Sequence, residues 1–298
     1  MAKRQATKAN ERAARAAAIR EQQARRSRRI NITITAIVAV IVVVIAFVVI
    51  DSVNKSNAKK AKVGDASPAV AKAVTGVPAS VFAKVGKGAL KPGSGAQKLK
   101  SPPLTANGKP KVLYVGADYC PFCAAERWAL TAALGRFGTF EHLGTATSSG
   151  SDYAPNTATL SYHGASYSSQ YLEFAGYEQE GEQGQPLDKL PEVDMKLYTK
   201  YDAPPYTTEQ NKGSIPFIDF GGKYVIRGAS YDPMVLQGMT HEQIATALSD
   251  PTSKVAQNAV GAANMITAAI CKTTGGQPAN VCTAKGVTEA ASLLGKKK

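Results

Sequence analysis

The strongest constraint on this chain lies near its start. From Ile30 to Ile50, INITITAIVAVIVVVIAFVVI runs 21 residues without a charge. As a helix, about 20 apolar residues cross a hydrocarbon core of about 30 Å. Residues 1–29 hold ten Lys/Arg against two Asp/Glu, whereas close beyond Ile50 the basic residues are Lys55, Lys59, Lys60 and Lys62. Basic charge is held back on the cytoplasmic side. The expectation is a basic cytoplasmic tail at 1–29, a single-pass transmembrane anchor at 30–50, and an extracytoplasmic remainder at the cell membrane. A cleaved signal peptide competes, with Ser56-Asn57-Ala58 as its small-residue site. However, the apolar run exceeds the roughly 7–15 residues of such signals.

The formal charge of +14 invites a nucleic-acid reading, and its distribution argues against one. Residues 101–298 carry 16 Lys/Arg and 18 Asp/Glu, a net −2, so the basic excess belongs to the tail and to residues 51–100. No nucleic-acid partner is expected. The basic arm is read as a topology signal, with contact to an anionic inner leaflet as the alternative.

Residues 51–103 read as an extracytoplasmic linker, rich in Ala, Lys, Gly and Pro. Val77, Val81, Phe82, Val85 and Leu90 are candidates to pin part of it to the domain as a short strand or helix. A globular domain is expected over 104–250 and a helical extension over 251–298. The pattern predicts a strand at Lys111–Val115, a helix over 121–137 capped at Gly138, and strands in FEHLGTATSS and at 157–162. Partial helix follows in PLDKLPEVDMKLYTKYD. SIPFIDFGGKYVIRG reads as two strands around Gly221-Gly222, and Thr240 with Gln243 forms a capping box. SKVAQNAVGAANMITAAIC continues as an apolar helix. Strand, turn, helix and later hairpin give an α/β class with a mixed sheet.

The chemistry concentrates in VLYVGADYCPFCAAERW, where Cys120-Pro121-Phe122-Cys123 sits between strand and helix. A tetrahedral zinc site would need a second close pair. Cys271 and Cys282 have ten residues between them instead, and His142, His163 and His241 are scattered. Neither metal nor cofactor is expected. A purely structural Cys120–Cys123 bond closes too short a loop to stabilise much. A redox pair has a direct mechanism. Unpaired N–H groups and the positive dipole end at the helix start favour the Cys120 thiolate. Pro121 fits the first helical position, and Cys123, a turn deeper, can resolve a mixed disulfide. Cys120, with an exposed face, is the expected nucleophile. In CKTTGGQPANVC, a helix end, a Gly-Gly turn and a Pro-started segment can bring Cys271 and Cys282 to the about 5.5–6 Å a disulfide needs.

These motifs resemble the thioredoxin superfamily. VLYVGADYCPFCAAERW looks like its central strand, active-site turn and helix. SIPFIDFGGKYVIRG looks like the segment in which a cis-proline faces the cysteines. The resemblance implies Pro216 as that cis-proline and Ile215 as the residue whose backbone pairs with a substrate strand. Tyr119, Pro121 and Phe122 become substrate contacts, and Trp128 core. A closer resemblance is to the domain-of-unknown-function family 929, through NGKPKVLYVGADYCPFCAAERWAL, RFG and AICKTTGGQPANVC, over about residues 76–285; that name implies no activity. Tyr119 replaces the usual Trp before the first cysteine. Tyr114 stands where many members carry a buried acid, leaving Asp118 or Glu126 as substitutes. Cys123 and Pro216 are 93 positions apart, so an insertion is expected within 148–206, between the helix and the cis-proline strand.

The resulting expectation is a membrane-anchored thiol–disulfide oxidoreductase acting on exported protein thiols or disulfides, recycled by an unidentified membrane redox partner. Two other classes stay open: a non-catalytic binding module with structural disulfides, and a metal-handling protein using the CxxC thiolates.

Overall fold

The computed structural model describes residues 64–295. The expected cytoplasmic tail, the expected anchor and the first part of the expected linker lie outside the described residues. Among the described residues no helix is long and apolar enough to cross a membrane.

The elements, in chain order, begin with helices α1 (Pro68–Thr75) and α2 (Ala79–Val85). Strands β1 (Gln97–Lys98), β2 (Thr105–Ala106) and β3 (Lys109–Gly116) lead into helix α3 (Pro121–Leu134). Then come β4 (Thr139–Glu141), β5 (Gly144–Thr147), β6 (Ala158–Ser161), β7 (Ser166–Ser168), β8 (Glu173–Glu178) and helix α4 (Glu192–Tyr201). The hairpin β9 (Phe217–Phe220) and β10 (Tyr224–Arg227) precedes helices α5 (His241–Ala247), α6 (Gly261–Thr273), α7 (Ala279–Cys282) and α8 (Lys285–Ala290).

β3 organises the rest. Its residues from Val112 to Gly116 are buried, and a strand covered on both faces reads as a continuous apolar run. It pairs parallel with β8, from Lys111↔Glu173 to Gly116↔Glu178, and antiparallel with β9, from Val112↔Phe220 to Val115↔Phe217. β10 follows β9 and β1 follows β10, so the sheet runs β1-β10-β9-β3 with β8 also on β3. A parallel pair needs a crossover connection, and α3 lies within the one that joins β3 to β8. Gly221 and Gly222 turn the hairpin at φ 60° and 75°, left-handed backbone that glycine adopts without steric cost.

The sheet's alternation sorts its side chains into two cores. Val112, Tyr114, Ile218, Phe220 and Ile226 pack with α1, α2, α3 and α6. Leu113, Val115, Phe217 and Val225 pack with Tyr198 and Tyr201 of α4. Two helices on the first side are alanine-rich: Ala124, Ala125, Ala129, Ala132 and Ala133 in α3, and Ala262, Ala263, Ala268 and Ala269 in α6, all buried. Small side chains let two helices sit close enough for both to be buried almost all round.

Several boundaries differ from the sequence reading. The segment read as a linker is folded from Gly64 onward. Val70 and Val74 of α1 and Val81, Phe82 and Val85 of α2 are core residues, each contributing about 1.5–3 kcal/mol by leaving water. Asn264 of α6 anchors this segment, its amide donating to Phe82 O at 2.9 Å and Gly86 O at 2.8 Å. The helical extension is no appendage either, since Gly261 to Cys271 of α6 are buried throughout. α3 ends at Leu134 with Gly135 as its cap, three residues before the expected Gly138. FEHLGTATSS forms two strands, because His142 between them adopts φ 54°. The capping box at Thr240 and Gln243 has both of its hydrogen bonds.

Candidate functional site

The tetrad closes the turn between β3 and α3. Cys120 is the N-cap of α3 with extended backbone (φ −79°, ψ 120°), and Pro121 opens the helix. In place of a side-chain oxygen, the Cys120 sulfur accepts from the Cys123 backbone N–H at 3.4 Å. The cap position thus aims otherwise unpaired donors at that sulfur. Both cysteines are free thiols. Cys120 is only 6 % exposed and Cys123 is 0 %, which corrects the expectation of an open face on Cys120.

Their acidities diverge. A hydrogen bond from the Cys123 side chain, aided by the backbone N–H groups of Cys123 and Phe122, outweighs burial and lowers Cys120 from 9.0 to about 7. Burial, reinforced by the neighbouring Cys120, raises Cys123 well above the ordinary thiol range. One sulfur is therefore partly thiolate near neutral pH while its neighbour keeps its proton.

The residues named from sequence gather around this turn. The Ile215–Pro216 peptide bond is cis, and the Cys120 thiol points at Ile215 O, 3.9 Å away. Pro216 is buried and Ile215 half-buried. Tyr119 is half-buried, and its carbonyl accepts from Ser149 N at 2.8 Å. Phe122 is 39 % exposed and stacks on Tyr153 at 5.7 Å between ring centroids. Tyr153 in turn donates to Asp232 at 3.2 Å. The stretch between α3 and β9 therefore folds back over the tetrad through Ser149 and Tyr153. Trp128 is fully buried, its indole donating to Ala158 O at 3.1 Å.

Behind Cys123 lies a charged cluster of which the sequence reading named Asp118 but missed Arg127 and Glu178. Arg127, one turn further along α3, is fully buried, as is Glu178 at the end of β8. Arg127 Nη1 reaches Glu178 Oε2 at 2.7 Å and Asp118 Oδ1 at 3.6 Å. It also donates to Tyr114 OH at 3.3 Å and Ala117 O at 3.1 Å. Burial pushes Glu178 up to about 7 against the pull of Arg127. Burial alone would lower Arg127, but Glu178, Tyr114 and Asp118 hold it raised and charged. Glu126, one of the two suggested substitutes for the missing acid, serves elsewhere. Its buried carboxyl accepts from Ser230 N at 2.7 Å and Ser230 Oγ at 2.9 Å, and burial raises it from 4.5 to about 7. Two acids in ordinary helix and strand contexts give no local signal of burial.

Cys271 and Cys282 form a disulfide, with Cα atoms 5.6 Å apart. It bridges the last turn of α6 to α7. Among the described residues no group of three or more His, Cys, Asp and Glu is arranged to hold a metal ion.

Fold and site together define a mixed α/β protein with a dithiol at the N-terminus of its central helix and a separate disulfide near its C-terminus. Residues 96–272, more than half of the chain, match the family described as domain of unknown function DUF929, and the chain belongs to that family. No curated protein and no solved structure matches it.

Proposed function

We propose that this chain is a thiol–disulfide oxidoreductase of thioredoxin-like architecture, anchored through residues 30–50 and working outside the cell membrane on exported proteins. The observation that carries the reading is the divergence of the two thiols. Cys120 caps α3 with its acidity brought to about 7, beside a fully buried Cys123 held protonated. Such a pair attacks with one sulfur and resolves with the other. The parallel β3–α3–β8 unit, the antiparallel β9–β10 hairpin and the Ile215–Pro216 peptide beside Cys120 support the thioredoxin-like comparison. For the anchor, the support is the uncharged run and the charge step across it. A membrane redox partner would reset the pair after each turnover.

Trapping in intact cells tests this. With Cys123→Ser, Cys120 should accumulate exported partners as mixed disulfides that gel electrophoresis without reductant displays. With Cys120→Ser almost none should appear. Equal trapping by both variants, or by neither, overturns the exchange reading in favour of a binding module.

A further inference from the structure

The loop 203–214 leads from the end of α4 to Ile215, whose carbonyl oxygen lies 3.9 Å from the Cys120 sulfur. Most of it is exposed, and it is closed at its base, where Gly213 N donates to Asp202 O at 3.1 Å. Among the described residues its other backbone hydrogen bonds, such as Tyr206 N to Ala203 O and Lys212 N to Glu209 O, join the loop only to itself. The Tyr206 ring packs on Tyr201, at the same base, with centroids 4.9 Å apart. Compact surface loops with their ends held together often carry binding function. What holds this base is Arg227, the last residue of β10. Its Nε donates to Tyr201 O at 3.1 Å and stands 3.3 Å from Asp202 Oδ1. Nη2 also donates to Tyr201 O, and Nη1 donates to Gln97 Oε1 at 3.3 Å. The end of α4, β10 and the edge strand β1 thus meet on one guanidinium. Asp202 is 1 % exposed, yet neither of its carboxylate oxygens has an aligned hydrogen bond among the described residues. The N–H groups of Ser214 and Gly213 face it. A buried carboxylate left so is held by charge, and its grip on residues 213–214, directly before Ile215, depends on that charge.

We propose that Asp202 and Arg227 are positioning residues for partner engagement: they latch the base of the 203–214 loop, so that the Ile215 backbone stands where an extended segment flanking the partner's cysteine pairs with it. The inference rests on the exchange reading and adds what governs partner recognition at the tetrad. Both residues act through the loop. The ionised carboxylate draws the guanidinium from one side and the Ser214 and Gly213 N–H groups from the other. Protonation removes both attractions, and the base of the loop loosens. Burial raises Asp202 to about 6, against the pull of Arg227 and of the two N–H groups, so the latch is closed at neutral pH and open in acid. The charged and titratable groups around it are Arg227 from β10 and Tyr198 from α4. Arg227 also feels Asp219 of β9, which burial likewise raises to about 6. A variant is therefore needed to show which acid sets a pH profile.

The test uses the full chain, reduced and in detergent micelles, with two probes. One is the small chromogenic disulfide DTNB. The other is the synthetic peptide Ala-Ala-Thr-Val-Cys-Val-Thr-Ala-Ala, its cysteine disulfide-linked to thionitrobenzoate. With either, the Cys120 thiolate attacks a probe sulfur, the probe S–S bond breaks and a Cys120–probe S–S bond forms. Thionitrobenzoate, the more acidic thiol, leaves as a coloured thiolate. Dividing the first-release rate with the peptide by that with DTNB cancels the thiolate fraction of Cys120. In the unaltered chain this ratio should fall roughly tenfold between about pH 8 and about pH 5, the worth of one backbone hydrogen bond to the partner. The fall should come from a higher half-saturating peptide concentration, with the plateau ratio kept. Asp202→Asn should show the acid-side ratio at every pH, Asp202→Glu should restore the pH dependence, and Arg227→Met should lower the ratio at neutral pH. A flat ratio in the unaltered chain overturns the inference, as does Asp202→Asn with the parent's ratio and profile. Equal slowing with both probes overturns it too, by reducing the pair to support for the fold. In each of these cases the exchange reading stands. An unaltered chain that releases no thionitrobenzoate from either probe overturns both.

Discussion

Replacing Glu126 by Gln should turn a pH-dependent liability into a pH-independent contact. The carboxyl is fully buried, pairs with no cation among the described residues, and receives two hydrogen bonds from Ser230. Burial raises it from an ordinary 4.5 to about 7. In the unfolded chain it ionises near 4.5, whereas in the fold it ionises near 7. Between those values the unfolded state binds fewer protons, so stability falls as pH rises. The loss is complete above pH 7 and amounts to about 3 kcal/mol, at 1.36 kcal/mol per tenfold change in acidity. Gln keeps the shape, its oxygen accepting from Ser230 N and its amide donating to Ser230 Oγ. Near pH 4.5 the variant should match the parent. By pH 8 it should be about 3 kcal/mol more stable, roughly 6–12 °C in Tm for a domain of this size. Urea unfolding at a series of pH values measures this directly, because Trp128 is the only tryptophan. Other buried acids titrate too, and the difference between variant and parent cancels them. A difference that stays flat from pH 4.5 to 8 would refute the reasoning, as would a variant that loses ground as pH rises.

Cys271→Ala with Cys282→Ala opens a loop of sequence separation 11 and should cost about 3 kcal/mol, measured by the same unfolding. Thiol exchange at the tetrad should persist; its loss would mean the bridge takes part in the chemistry. Asn264→Leu leaves Gly86 O without its donor inside the core, while Phe82 O keeps Gly86 N, and should cost on the order of 2 kcal/mol. Hydrogen exchange should then rise in α1 and α2 first; an unchanged protection pattern would show that these helices do not depend on α6.

The centre of the fold was legible because its signals are local. The apolar run of β3, Pro121 after Cys120, the Gly221-Gly222 pair and the Thr240–Gln243 box each occupy a few consecutive residues. The bridge between Cys271 and Cys282 was legible for the same reason. α1 and α2 were not, since each is shorter than three turns and sits among Lys, Gly and Pro. Their valines and Phe82 become core only when α6 arrives from nearly two hundred positions away. Arg127 and Glu178 were hidden by distance as well. Arg127 looks like a solvent-facing residue of AAERWAL, and only the register Gly116↔Glu178 carries the acid to it.

The bridge lies at the opposite pole of the sheet from the tetrad. Lys223 Nζ donates to Lys272 O at 2.8 Å, which sets the last turn of α6 against the β9–β10 turn. Gly221 N there donates to Lys111 O at 3.0 Å, at the start of β3, whereas Cys120 follows its far end. Traversing β3 takes about 25 Å. A folded molecule therefore cannot oxidise its own bridge with its own tetrad. On the exchange reading, that bond comes from another oxidant or from the tetrad of a second molecule.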